Sequence, residues 1–465
     1  MSNESHHSIA GKGLGIDLEP TEDEWHRLID IAREFLSVEF SDLGAQAVVD
    51  HAQKPGRTGT ELEDYLHHLF ASGFNPAHPG FMAYIPGGGL LTSALADWII
   101  KSMNRYGTAH FAAPRLAEVE LDVIRTFARW IGFDYRAAGV LTTGGSVANF
   151  TAVVTARRAK LPEDFLSGVI YCSDQAHHSV MKAANLAGFS SRNLRILPSD
   201  ENFRLIPAEI EGQVARDIEA GMLPFLVVTS AGTTNTGSID PLPEIGALCQ
   251  RHGLWYHIDA AYGGAFLLTE RGRERMNGIN LADSVTLDPH KGMFLPYGTG
   301  SIVVRDRDAL IEAHEMRGDY MPALDREKAH LDPFSLSLEL SREHRGLKMW
   351  LPLMLHGEES FAEALNEKLD LTVHVLERLE QMPEIEVLNQ PDLSTIAFRC
   401  RDFDDDENKA LLETIVAGAR VYISGTVLLG AYVLRVSILS HRTHLEHVDQ
   451  FISDLVRGLR EIRDR

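Results

Sequence analysis

Lys291, in Asp288-Pro289-His290-Lys291-Gly292, and Asp259, at the end of the apolar run Tyr256-His257-Ile258-Asp259-Ala260-Ala261, are the residues whose types point most directly to a chemistry. A lysine amine able to form a Schiff base and a carboxylate able to keep a pyridine nitrogen protonated are the two groups that pyridoxal phosphate (PLP) asks of its protein. Alone, neither is informative. An aspartate after a strand is ordinarily a cap or turn residue, and a lysine ordinarily faces water. Each here follows a short apolar run, where an open α/β sheet places its ligands, and the pair together reverses that default. Ala261, just beyond Asp259, offers a small surface on which a ring can lie.

Three more segments join them. Thr142-Thr143-Gly144-Gly145-Ser146 ends a strand and opens a helix, so its backbone N–H groups and the Ser146 hydroxyl can hold a phosphate with help from the helix dipole. It fits neither the P-loop pattern nor the dinucleotide fingerprint, lacking Gly-Lys-Ser/Thr and a third spaced glycine. Asp174-Gln175-Ala176-His177-His178-Ser179 is a second strand-to-helix loop, whose imidazole can stack on a ring and move protons. Ser230-Ala231-Gly232-Thr233-Thr234-Asn235-Thr236-Gly237 is a third, with hydroxyls to contact a cofactor oxygen.

The elements that must position these residues read as strand alternating with helix from about residue 139. Strands are expected at 140–142, 169–171, 194–197, 225–229, 255–258, 285–287 and 301–304, and helices run through 160 and 186. Short apolar strands between helices imply an α/β fold with a mostly parallel sheet covered on both faces. A long helical stretch over about 341–382, then strands near 385–388, 395–399 and 432–439, form a smaller C-terminal α/β domain. Near the N-terminus, Thr21 with Glu24 forms a capping box before a helical stripe of Trp25, Leu28, Ile29, Ala32, Phe35 and Leu36. That stripe packs on the main body or on another subunit. The expected division is an N-terminal helical segment at 1–85, a large domain at 86–350 and a small domain at 351–465.

With 465 residues and 44% hydrophobic content, the chain can bury a large core. Its 44 Lys+Arg against 66 Asp+Glu give a formal net charge of −22, which argues against nucleic acid or an anionic membrane as partner. Cys172, Cys249 and Cys400 match neither a disulfide framework nor zinc-ligand spacing, so no metal is expected and a reducing cytoplasm is the natural setting. No leader pattern and no bilayer-length apolar run is read, so no membrane partner is expected.

In this order, from about His78 to the C-terminal region, the motifs resemble the group II PLP-dependent amino acid decarboxylases. That family includes aromatic amino acid, glutamate, cysteine sulfinate and diaminobutyrate decarboxylases. The resemblance implies a fold-type I architecture and a homodimer with active sites shared at the subunit interface. By position, Lys291 resembles the Schiff-base lysine, His290 its phosphate-side neighbour, Asp259 the pyridine partner and Ala261 the small residue against the ring. His177 resembles the stacking histidine, Gly145 and Ser146 part of the phosphate cup, and Thr233 or Thr234 the contact near the ring oxygen. Tyr320, in Arg317-Gly318-Asp319-Tyr320-Met321, resembles a loop tyrosine that helps protonate Cα. The segment 78–86 resembles the lining of the side-chain pocket, with Phe81, Tyr84 and Ile85 giving it an apolar character; Ile85 departs from the aromatic residue of aromatic amino acid decarboxylases. An acidic substrate would want an arginine, for which Arg105 and Arg115 are the nearest candidates. Gly292 stands where many members carry a bulky residue, and Arg435 matches a family arginine. The implied reaction is decarboxylation of an aromatic or apolar L-amino acid to the primary amine and CO2. The alternatives are an acidic or diamino acid decarboxylase and a carbon–carbon lyase of the sphingosine phosphate lyase kind, which releases an aldehyde. A scaffold without catalysis would need a broken site, and no principal group is missing.

Overall fold

The computed structural model describes residues 73–315 and 332–464, with a few helical positions before them (His26, Asp30, Tyr65, Leu66, Leu69 and Phe70). The stripe at 25–36 and Tyr320 therefore lie essentially outside the described residues.

Seven runs rich in branched and aromatic residues pair into one sheet: β1 (Ala138–Thr142), β2 (Gly168–Ser173), β3 (Leu194–Leu197), β4 (Leu223–Ser230), β5 (Trp255–Asp259), β6 (Ser284–Leu287) and β7 (Gly300–Val304). Their order is β1-β7-β6-β5-β4-β2-β3. β2 pairs in parallel with β3 and β4, and β5 with β4 and β6. Only β7 runs the other way, antiparallel to β1 and to β6. The sheet is thus mostly parallel, and each strand lies where the sequence places it, extended by at most two residues at an end.

Every residue of β1, β2, β5, β6 and β7 is buried, as both-face coverage requires. Side chains alternate between two cores. Leu141, Tyr171, Tyr256, Ile258 and Val303 enter one, and Val140, Ile170, Cys172, Trp255, Ile302 and Val304 the other. Because β7 is antiparallel to both its neighbours, β1, β2, β4, β5 and β6 all deliver their carboxyl ends to the same edge. The loops singled out above leave from that edge.

A second, antiparallel sheet has the order β10-β11-β9-β8, from β8 (Ile385–Val387), β9 (Thr395–Cys400), β10 (Ser424–Leu428) and β11 (Ala431–Ser437). β10 is absent from the sequence reading because Ser-Gly-Thr opens it without an apolar alternation. Leu429 and Gly430, both at positive φ, close its hairpin with β11. The helix Gly346–Glu380 is broken at Gly357, which adopts φ 73° and ψ 162°. It packs on the helices Leu91–Met103, Pro114–Ile131 and Leu445–Arg463.

One buried ion pair fixes the start of the first functional loop. Glu120 and Arg342 meet in the interior, and the two side chains also bond the N–H and C=O of Leu141 in β1. Among the described residues, no helix is long and apolar enough to cross a membrane.

Candidate active site

At the carboxyl edge of the large sheet lies a cavity of about 310 Å³. Five separate loops converge on it. Gly144, Gly145 and Ser146 arrive after β1, His177 after β2, Thr233 and Thr234 after β4, Asp259 and Ala261 from β5, and His290 and Lys291 after β6. All nine cofactor positions read from sequence, Lys291 included, therefore have their side chains or backbone around one volume.

The first loop is built for close approach. Gly144 adopts φ 152°, and a Cβ on Gly145 would lie 2.8 Å from Asp288 Oδ2 and 3.3 Å from the Ala261 methyl. The helix Gly145–Lys160 begins here, and the first N–H groups of a helix have no intrahelical acceptor.

Asp259 is buried, with both oxygens engaged: Asn149 Nδ2 donates to Oδ2 at 2.8 Å and the Ala261 N–H to Oδ1 at 3.1 Å. Two neutral donors suit an ionised carboxylate. His177 Nδ1 lies 2.8 Å from Ser179 Oγ, and burial lowers the imidazole from its ordinary value although the Asp259 carboxylate opposes this.

Lys291 Nζ lies 3.2 Å from Asp288 Oδ2, whose other oxygen is buried without a partner. His290 Nδ1 is 2.6 Å from the Thr299 carbonyl, an acceptor only, so Nδ1 carries a proton there. Thr233 Oγ1 accepts from the Ser238 N–H at 3.1 Å and meets Thr236 Oγ1 at 2.8 Å, which commits it to its own loop. Gly292 has no room for a side chain, since a Cβ would lie 2.5 Å from the Ala265 methyl.

The substrate-pocket residues fall elsewhere. Phe81 is 1% exposed and stacks on Tyr422 at 5.2 Å, and Ile85 belongs to the main core, so neither presents a face to the cavity. Tyr84 is 54% exposed and does not line it. Arg435 is interior. It donates to the carbonyls of Tyr84 and Asn235 at 2.8 and 3.1 Å and to Ser424 Oγ at 3.2 Å, and burial pushes it down to about 10. It joins the 78–86 segment to the loop bearing Thr234. Arg115 is on the surface, 3.2 Å from Glu118.

Asn149, Asp288, Ser179 and Tyr262 also line the cavity and had no assigned role. Asn149 was detectable in principle: it stands three and four residues after Ser146 and Gly145, on the same helical face.

A small anion-binding first turn, a buried carboxylate and a lysine around one volume fit a compact anionic ring cofactor. PLP satisfies each demand. The helix start can take its phosphate, Asp259 its ring nitrogen and Lys291 its aldehyde carbon, beside the one buried oxygen of Asp288 left without a partner.

Comparison with known proteins agrees. A family model, the pyridoxal-dependent decarboxylase conserved domain, matches residues 46–401. The aromatic-L-amino-acid decarboxylase of Bacillus atrophaeus is 32% identical over 406 residues, 85% of each chain. An acidic amino acid decarboxylase of Xenopus tropicalis is 29% identical over 331 residues, 69% of this chain and 65% of its own. The crystal structure of Oryza sativa TDC with PLP and tryptamine shares the fold, with a TM-score of 0.88 over 94% of this chain and 97% of that one at 23% identity. The chain belongs to the pyridoxal-dependent decarboxylase family. Its activity is PLP-dependent amino acid decarboxylation, that of a carboxy-lyase.

Proposed function

We propose that the substrate is an L-amino acid with an aromatic or otherwise apolar side chain, converted to its primary amine and CO2. The observation that supports this is the cavity lining: among the described residues it contains no arginine, Arg105 and Arg115 are exposed outside it, and Arg435 is engaged by backbone carbonyls. A second carboxylate would want a dedicated cation. Tyr84, exposed and one arginine away from the Thr234 loop, is the pocket residue we retain; Phe81 and Ile85 serve by shaping the segment behind it.

The residue roles follow from the chemistry. Bound PLP supplies an electron sink for the charge left on Cα when CO2 departs. Gly145 and Ser146 bind the phosphate with first-turn N–H groups, and His290 stands beside them. Asp259 holds a proton at the ring nitrogen. Ala261 and His177 border the ring, Thr234 rather than the committed Thr233 is free to reach its oxygen, and Lys291 carries the cofactor. His177 moves a proton at Cα together with Tyr320. The division into segments 1–85, 86–350 and 351–465, a homodimer with shared sites and a cytoplasmic setting belong to the same reading. The last is supported by three buried free cysteines.

The test is release of CO2, amine and aldehyde from a panel of L-amino acids by PLP-loaded protein. Matched CO2 and amine from an aromatic substrate is expected. A response restricted to acidic or diamino acids would overturn the substrate assignment, and aldehyde without CO2 would favour the lyase. Tyr320→Phe is expected to slow amine release; unchanged output would remove Tyr320 from the scheme.

A further inference from the structure

In the cavity wall, one buried side chain bonds Asp259 directly and reaches His177 through Ser179. Asn149, 1% exposed, donates through Nδ2 to Asp259 Oδ2 at 2.8 Å and to Ser179 Oγ at 2.9 Å. Its Oδ1 receives the Thr286 hydroxyl at 2.9 Å and lies 3.1 Å from His257 Nε2. An amide oxygen only accepts, so His257 presents Nε2–H to it. Burial pushes the His257 imidazole down to about 4, and its Nδ1 lies 2.8 Å from Ser284 Oγ and 3.2 Å from the Ser284 carbonyl. Ser284 Oγ in turn receives the Trp255 indole N–H at 2.9 Å.

The donor directions beyond Asn149 are equally constrained. With Asn149 donating to Ser179 Oγ, the Ser179 hydroxyl proton is available for His177 Nδ1 at 2.8 Å. The Ser179 backbone N–H, which can only donate, points to the same nitrogen at 3.4 Å. His177 Nδ1 is therefore an acceptor, and in the neutral ring the proton sits on Nε2.

We propose that Asn149 is a positioning residue that sets both ring-facing groups at once: it donates to and orients the Asp259 carboxylate and, through Ser179, fixes His177 as the Nε2–H tautomer. The inference rests on the PLP assignment above. Its consequence is a fork of donors from Asn149, one branch to Asp259 and the other to Ser179 and His177. The charged or titratable groups around the fork are Asp259, His257, His177, His178, Lys291 and Asp288. Asn149 hydrogen-bonds both branches.

The test compares Asn149→Ala with the isosteric Asn149→Asp. A carboxylate at this position keeps the shape but cannot donate to Asp259 unless it takes up a proton. The apoprotein of each variant should melt cooperatively, and its PLP affinity, read by absorbance titration, should fall about 10- to 100-fold near neutral pH. For Asn149→Asp, decarboxylation should recover as the pH falls from about 8 to about 5.5, since protonation restores a donor, whereas Asn149→Ala should not recover. Nitrogen-15 shifts of His177 in the wild-type apoprotein should report a protonated Nε2. A wild-type PLP affinity and pH profile in Asn149→Asp, or a protonated Nδ1 on His177, would overturn the proposal while leaving the PLP reading intact. Failure of the wild-type protein itself to bind PLP would sink that reading, and this inference with it.

Discussion

The two walls of the cavity are built on opposite plans. On the wall where the helix Gly145–Lys160 meets β5, the polar side chains of Asp259, Asn149 and His257, with Ser179 after β2 and Thr286 of β6, all have partners among themselves or their neighbours. On the wall formed after β6, Asp288 keeps one buried oxygen without a partner, and its other oxygen has the Lys291 amine at 3.2 Å. A satisfied network resists movement, whereas a half-satisfied one has something to gain from a ligand. The contrast assigns each wall a part: one holds its groups fixed against the ring, and the other carries the amine that must bond, release and return.

Replacing groups on either wall should expose that difference. Lys291→Ala should have the largest effect, lowering turnover by about 10⁴-fold or more and removing the visible absorbance of the bound cofactor. A retained spectrum with retained turnover would break the assignment of the mobile wall. Asp259→Asn keeps the shape of the fixed wall and removes its charge. Turnover should fall by about 10²- to 10³-fold while the cofactor's link to Lys291 survives, and a loss of that link instead would show that the walls are not separable. His177→Gln should cost about 10²-fold in kcat with little change in PLP affinity. If affinity fell more than kcat, His177 would be a binding group only.

The smallest effect is on stability. The buried His257 has its pKa lowered to about 4 from the ordinary 6.5. Above 6.5 both folded and unfolded chains hold it neutral and it adds no pH dependence. Between 6.5 and 4 the unfolded chain binds a proton that the folded chain refuses, so its contribution lowers stability as the pH falls. The fall in melting temperature over that range should be shallower in His257→Gln than in the wild type; equal slopes would place His257 outside the rigid wall.

The strands and the cavity loops were legible because each signal is local. β1 to β7 are short apolar runs bounded by turn residues; Asp259 ends one of them, and Gly144, His177, Thr234 and Lys291 each stand within four residues of the end of another. The rest depends on packing. Asn149 lies one turn inside a helix that reads as ordinary, and its meaning appears only when β5 brings Asp259 to 2.8 Å. His257 stands two residues before Asp259, on the same face of β5, a spacing that carries the signal once the strand is assigned. Phe81 and Ile85 show the converse: apolar residues in a pocket-like segment read as lining, but whether they face the pocket or the core is decided by Tyr422 and the main core, which are distant in sequence. β10 was lost because Ser424 and Gly425 hide a strand whose pairing with β11 supplies what its composition lacks.

Lys291 as the cofactor's anchor is tested most directly by reducing the PLP-loaded protein with borohydride and mapping the tagged peptide. A single tag, on Lys291, is expected. A tag on any other lysine, or no tag on protein that decarboxylates, would contradict it.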